Sequence, residues 1–238
     1  MEGQTGRKPP NASFKSSVLR LTLFGIRTFR ASVSGSFFTR LGIGGIPFLF
    51  PLLYQVGLGF TPIQSGLLIM PQAAAALSLK FVLRKILQRF GYRRVLIFNT
   101  LMLGVMTLSF ATIGAGTPVW LIVSQVFIFG MFTSLQYSSM NTLVYADVTD
   151  EQTSGASAIT STVQQMSISF GIAIGSLLTA VFVPDRFHTS APEMIRGIHL
   201  TFLILGGWTI VSSYVFLELK KNDGNTLSLH QALQHAGT

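Results

Sequence analysis

The chain has 238 residues, of which 49% are hydrophobic and only 11% are charged, with a mean hydropathy of +0.54. A soluble domain carries about 25% charged residues, so this composition excludes an ordinary water-soluble protein and predicts a membrane protein. The chain lacks cysteine, which excludes disulfides and thiolate metal sites. Its net charge of +9 could reflect binding to nucleic acid or to a membrane surface. The positions of the basic residues along the chain distinguish these two possibilities.

The first 32 residues differ from the rest of the chain. Residues 1–17 are polar, and the stretch VLRLTLFGIRTFR (18–30) then alternates apolar groups with Arg20, Arg27 and Arg30. This pattern predicts a basic amphipathic segment on the membrane surface. A secretory signal is the alternative, but a compact apolar core followed by a small-residue cleavage site is missing. We therefore predict a cytoplasmic tail and an interfacial segment over 1–32.

Six later stretches approach the roughly 20 apolar residues that a helix needs to cross a bilayer. They are residues 33–55, 63–83, 95–114, 119–140, 156–183 and 198–218. Short connections require neighbouring helices to run antiparallel, and sustained two-residue alternation, which a membrane barrel would show, is lacking. The prediction is an all-α integral membrane protein with a six-helix domain over 33–218 and a C-terminal tail over 219–238.

The basic residues concentrate on one predicted side of the membrane. Six precede the first span, five lie between the second and third spans, and two follow the sixth. The other side has Arg186 and Arg196, offset by Asp185 and Glu193. The positive-inside rule therefore predicts that both termini are cytoplasmic. This arrangement is an orientation signal, and no nucleic-acid partner is expected.

Arg40 lies within the first predicted span, in the run SFFTRLGIGGIPFLFPLLYQ (36–55). GIGG is not a phosphate loop, because no strand precedes it, and its glycines favour close helix contact. The apolar run 41–54 rises about 21 Å, which is too short to cross, so the span includes Arg40 at a depth of ~6–10 Å. Two interpretations remain open: a side chain that reaches lipid phosphates, or a charge facing a central cavity.

Polar residues in the fourth and fifth spans are further candidates for a substrate cavity. These are Ser134 and Tyr137 in the fourth span, and Gln164 and Gln165 in the fifth. The alternative is that they join helices by hydrogen bonds. Gly171 and Gly175, four residues apart, are predicted to let a neighbouring helix approach closely.

Features of an enzyme are weak throughout the chain. All eight acidic residues fall in tails, loops or span ends, and the four histidines lack the spacing of metal ligands. The histidine and the acid that fall within a predicted span, His199 and Glu218, lie at its ends, so no activated serine is expected. We predict no catalytic residues, no metal and no cofactor.

One loop and two longer stretches resemble a known family. In KILQRFGYRRVLI (85–97), Arg89, Gly91, Arg93 and Arg94 resemble the cytoplasmic loop motif of the major facilitator superfamily, with Gln88 in place of its acid. FLFPLLYQVGLGFTPIQSGLLIMP (48–71) and residues 138–175 resemble the C-terminal half of fourteen-span drug:proton antiporters of the EmrB/QacA type.

The resemblance implies one six-helix half of a transporter in the bacterial inner membrane that exports small amphipathic compounds by alternating access. In such exporters the proton-coupling carboxylates and the glycine–proline antiporter motif belong to the N-terminal half. The expected partners are the lipid bilayer, a small amphipathic substrate, and an N-terminal half or a second copy. The alternative is a non-transporting truncated or structural membrane subunit.

Overall fold

A computed structural model describes residues 23–80, 82–183, 190–220 and 223. Residues 1–22 of the predicted tail 1–32 and residues 224–238 of the predicted tail 219–238 therefore lie outside the described residues, as do residues 184–189. Helices make up every regular element in the described ranges, which confirms the predicted all-α fold class.

Eight α-helices follow one another in the described part of the chain. They are α1 (Arg27–Ile43), α2 (Ile46–Pro51), α3 (Pro62–Leu79), α4 (Leu83–Phe90), α5 (Tyr92–Ser109), α6 (Val119–Leu143), α7 (Asp150–Phe182) and α8 (Ala191–Ser212). Among the residues that the structure describes, five stretches are long and apolar enough to cross a membrane: Arg27–Gly57, Tyr92–Thr112, Val119–Leu143, Asp150–Phe182 and Ala191–Glu218. The predicted span 63–83 corresponds to α3, an 18-residue helix whose hydropathy is lowered by glutamines and prolines.

The first span begins earlier than the sequence predicted. α1 starts at Arg27 instead of residue 33, so Arg27 and Arg30 form its first turn. Both find acidic partners near the other end of the chain: Arg27 Nη2 lies 2.5 Å from Asp223 Oδ1, and Arg30 pairs with Glu218. Residues 27–32 belong to α1, and the acidic partners offset the unfavourable position of two cations at the positive end of the helix dipole.

The helix of the first span is interrupted halfway. α1 ends at Ile43, a turn at Gly44 and Gly45 follows, and α2 continues with Pro47 in its first turn. Pro51 cannot donate a backbone hydrogen bond, and the next residues, Leu52–Gly57, wind more widely, with Leu58 N–H donating to Leu53 O at 2.9 Å. Gly44 and Gly45 keep right-handed helical dihedrals, so the chain continues through the turn, and the wider winding after Pro51 is a local departure from the α-helix.

The apolar core lies where the first span meets α5, α6 and α8. Phe50 sits at its centre, with ring centroids 4.8 Å from Phe110, 6.3 Å from Phe129 and 6.2 Å from Phe202. These rings are fully buried or nearly so, and edge-to-face contacts of this kind stabilise a core beyond the area they bury. Outside this cluster, α3 packs along α6, α5 along α8, and α1 along α7.

Local sequence signals set several helix ends. Thr61 and Gln64 form a reciprocal capping box at the start of α3, and Ser190 and Glu193 do so at the start of α8. Gly91 joins α4 to α5 with φ of 74°, a conformation that a side chain would strain. α4 is thereby held as a short helix beside the bundle.

Candidate functional site

Arg40 lies deep within the first span. It is 13 residues after Arg27, the first residue of α1, which places it about 20 Å along the helix. Only 5% of the residue is exposed. A buried guanidinium is costly unless polar or aromatic groups satisfy it, so its neighbours define the site.

Two side chains hold the Arg40 guanidinium. Arg40 Nε donates to Ser36 Oγ at 3.0 Å, one turn earlier on α1. Its Cζ lies 3.7 Å from the centre of the Tyr137 ring on α6, a cation–π contact. The side chain thus packs inward against α6. The two ion pairs among the described residues involve Arg27 and Arg30, so the Arg40 charge is held without a carboxylate.

The other predicted cavity residues lie on the neighbouring helices. Gln164 on α7 donates through Nε2 to Asn141 Oδ1 on α6, at 2.8 Å, and so joins these two helices. Ser134 lies almost one turn before Tyr137 on α6 and is partly buried, whereas Gln165 is exposed on α7. The structure therefore brings Arg40 and Tyr137 together directly, and places Gln164 and Gln165 on the adjoining helix.

The predicted packing glycines sit where α7 crosses the break in the first span. A Cβ added at Gly171 would lie 2.9 Å from Arg40 O and 3.0 Å from Gly44 Cα. At Gly175 the added Cβ would lie 3.4 Å from Gly45 Cα. The backbones approach so closely that Gly171 has no room for a methyl group, and this contact anchors the turn beside Arg40.

The residues of the predicted loop motif have different neighbours. Arg93 Nη2 donates to Leu217 O at 3.5 Å, near the end of the last span. The Arg89 guanidinium carbon lies 5.8 Å from the Phe90 ring centre, and Arg94 is exposed on the first turn of α5. Gly91 supplies the turn between α4 and α5.

Sequence reasoning missed a buried polar network between α5 and α6. Asn99 Nδ2 donates to Gln136 Oε1 at 2.7 Å and to Phe132 O at 2.8 Å, and Gln136 Nε2 donates to Thr100 Oγ1 at 2.7 Å. The three residues are at most 1% exposed. The amide side chains of Asn99 and Gln136, each within an apolar span, were the available signal, because such groups need hydrogen-bond partners in lipid.

Acidic residues are confined to the periphery of the described bundle. They lie in loops and at helix ends: Asp147, Asp150, Glu151, Glu193, Glu218 and Asp223. Thr28 donates to Asp147 Oδ2 at 2.8 Å, which brings the acidic loop after α6 to the same end of the bundle as Arg27. Within the described ranges, no three His, Asp or Glu side chains are grouped to hold a metal ion.

Comparison with known proteins places this arrangement in a family. A sequence model of the Major Facilitator Superfamily matches residues 33–233. The chain is 38% identical over 203 residues to the "Putative multidrug resistance protein MdtD" of Cronobacter sakazakii, covering 85% of this chain and 43% of that protein. For the protein of the same name from Escherichia coli O157:H7, the identity is 37% over 220 residues, covering 92% and 47%.

The chain thus spans less than half the length of these curated relatives. The family and the relatives confirm the prediction of a multi-pass protein in the bacterial inner membrane. They also confirm that the chain belongs with transporters and not with enzymes. With its helical bundle and its matched residues taken together, the chain belongs to the Major Facilitator Superfamily.

Proposed function

We propose that this chain is the C-terminal six-helix half of a multidrug exporter. It binds small amphipathic compounds beside Arg40 and moves them by alternating access against an N-terminal half. The buried Arg40, held by Ser36 and Tyr137 without a carboxylate, carries this proposal. In lipid, an ionisable group inside a bundle marks a functional pathway by default.

The charge of Arg40 defines the class of compound. A guanidinium that lacks an acidic partner attracts an anion or the electron-rich face of an aromatic ring. We therefore expect neutral or anionic amphipathic compounds to be preferred over cations. The relatives are named as multidrug resistance proteins, which supports a range of compounds instead of one.

α7 offers a surface for a second half. Only 22% of the most apolar stretch of Asp150–Phe182 is buried within the chain, against 61% for Arg27–Gly57. Exposed polar residues recur every fourth position along α7: Ser157, Ser161, Gln165 and Ser169. Polar groups on a span face a protein partner or water in preference to lipid. The stripe supports a cavity shared with an N-terminal half or with a second copy.

Proton coupling would come from the other half. The acids in the described ranges lie in loops and at helix ends, where they cannot exchange a proton within the membrane. The role of this half would be to rock as a body and to present Arg40 to the shared cavity.

The test is export by the paired halves. The chain is expressed with the N-terminal half of the Cronobacter sakazakii relative, in bacteria that lack their own drug exporters. Accumulation of one anionic and one cationic fluorescent dye is followed with and without a protonophore. We expect the paired halves to lower the accumulation of the anionic dye. The protonophore and Arg40→Gln should each restore the accumulation to the level of cells without the pair.

Matched variants distinguish an effect on the proposed cavity from a general loss of folded protein. Ser161→Ala, on the polar stripe of α7, is expected to reduce export several-fold. Ser124→Ala, an equally small change at an exposed serine on α6, is expected to leave export unchanged. If both halves fold and purify together while dye accumulation stays unchanged, export is ruled out for this pair and a non-transporting membrane subunit becomes the better interpretation.

A further inference from the structure

An apolar groove lies between the short helix α4 and the spans α5 and α6. Its walls are formed by Ile86 and Phe90 on α4, Phe98 on α5, and Phe132 and Leu135 on α6, with the aliphatic stem of Arg94 at the loop side. Its volume is about 530 Å³, within the roughly 300–1,000 Å³ of small-ligand sites. We infer that this α4 groove binds one anionic phospholipid, with an acyl chain along its walls and the phosphate at Arg94.

The shape of the groove suits an acyl chain. Phe90 and Phe98 are 54% and 59% exposed, so two large aromatic side chains stand open at its sides. Both face outward from the bundle, where hydrocarbon is the natural neighbour. α4 is amphipathic: Ile86 and Phe90, four residues apart, face the groove, while Lys85 and Arg89, also four apart, are exposed on a different face. Such a helix lies at the boundary between headgroups and acyl chains.

The charge at the mouth of the groove selects the headgroup. Residues 84–94 contain five basic residues and no acid. Arg93 turns away to Leu217 O, whereas Arg94 places its stem in the groove and remains exposed. A long side chain in this position buries its carbons and keeps its charge at the phosphate level. Charge complementarity therefore favours an anionic phospholipid over a zwitterionic one.

The depth of the groove agrees with a headgroup at Arg94. Leu217, the acceptor of Arg93, precedes Glu218, which pairs with Arg30 in the first turn of α1. Arg94 is therefore at the same end of the bundle as the ion pairs of α1, where the spans begin and end. Phe98 lies one turn further along α5, about 6 Å toward the hydrocarbon. This site is independent of the export proposed above.

Native mass spectrometry of the purified full chain tests the inference. The probe lipids are phosphatidylglycerol and phosphatidylcholine with identical acyl chains, titrated at equal concentrations. We expect one phosphatidylglycerol to be retained preferentially. Arg94→Gln should weaken its retention about fivefold, the factor expected for one basic residue near an anionic lipid. Arg89→Gln, the same charge change on the exposed face of α4, should weaken it less than twofold.

A second pair of variants tests the groove itself at constant charge. Phe98→Ala removes a wall and should reduce retention of phosphatidylglycerol by at least threefold. Phe170→Ala makes the same change at a comparably exposed residue of α7 and should have no effect. The four residues are exposed, so the variants are expected to elute as folded protein. Equal retention of both lipids, or equal loss in the two arginine variants, would overturn the inference and leave the groove as ordinary lipid-facing surface or the seat of another protein segment.

Discussion

The central carbon of the Arg40 guanidinium lies 3.7 Å from the centre of the Tyr137 ring. Contacts of this kind, when removed from water, are worth about 2 kcal/mol. Tyr137→Phe keeps the ring face, and we expect its apparent midpoint of thermal unfolding to match the parent protein. Tyr137→Leu should lower the midpoint by roughly 4–8 °C. Size-exclusion chromatography after heating measures both variants, and an equal loss in both would show that the hydroxyl, not the ring face, supports Arg40.

Replacement of Gly171 tests the contact between α7 and the break in the first span. Gly171→Ala places a methyl group 2.9 Å from Arg40 O and 3.1 Å from Leu41 O, so a backbone must move. Overpacking of this kind costs about 1–3 kcal/mol. Gly175→Ala, with its nearest atom at 3.4 Å, should be milder. Gly207→Ala on α8 meets nothing within 4 Å and serves as the control. An unfolding midpoint for Gly171→Ala equal to that of Gly207→Ala would contradict the close contact.

Replacement of Asn99 and Gln136 tests the polar network between α5 and α6. Gln136→Leu leaves the Asn99 amide without its 2.7 Å partner, and a buried donor without an acceptor costs about 1–3 kcal/mol. Asn99→Leu has the converse effect on Gln136. The double variant should lose less stability than the two single losses added together, because both polar groups are then absent. The measurement is the unfolding midpoint of the parent, the two single variants and the double variant. Strictly additive losses would mean that the hydrogen bond between Asn99 and Gln136 contributes nothing to stability.

The stability of the bundle should depend on pH through Asp223. Partial burial of its carboxyl raises the pKa, but hydrogen bonds from Arg27 and from Lys220 N–H outweigh that effect and hold the pKa below its ordinary 3.8. A carboxyl with a lowered pKa stabilises the fold above the unfolded value and loses that effect as the pH falls through the folded value. The midpoint difference between the parent and Asp223→Asn should therefore be largest near neutral pH and shrink below pH 3.8.

The double variant Arg27→Gln/Asp223→Asn supplies the control for this pH dependence. If the pair interacts, Arg27→Gln should change little once Asp223 is already neutral. A midpoint difference between the parent and Asp223→Asn that stays constant from pH 7 to pH 3 would mean that Asp223 acts through packing and not through its charge.

Much of the fold was predictable because lipid imposes a simple rule. Apolar stretches of sufficient length must be helices, so the fold class followed from hydropathy, and α5 and α6 begin within three residues of their predicted starts. The start of α1 was missed by six residues, since Arg27 and Arg30 argue against a span unless their acidic partners are known. Those partners, Asp223 and Glu218, lie almost 200 residues away along the chain, beyond the reach of any local pattern.

The candidate site was predictable in its residues but not in its geometry. Arg40 was predicted because a charge within an apolar run is costly and usually functional. Tyr137 was predicted because it is polar and lies within a span. Nothing local indicates that the two touch, since the contact depends on how α1 crosses α6. The earlier start of α1 also places about two more helical turns before Arg40 than a start at residue 33 would.

The ion pair between Arg27 and Asp223 has a consequence for the order of folding. The two residues are 196 positions apart, and a contact of that separation is expected to form late because the entropy lost on loop closure grows with the length of chain between the two residues. Short-range pairs such as α5 with α6 assemble while the chain is still incomplete. We therefore expect the ion pair to join the start of α1 to Asp223 late in folding, and a fluorophore pair on residues beside Arg27 and Asp223 would report the completed bundle and not its parts.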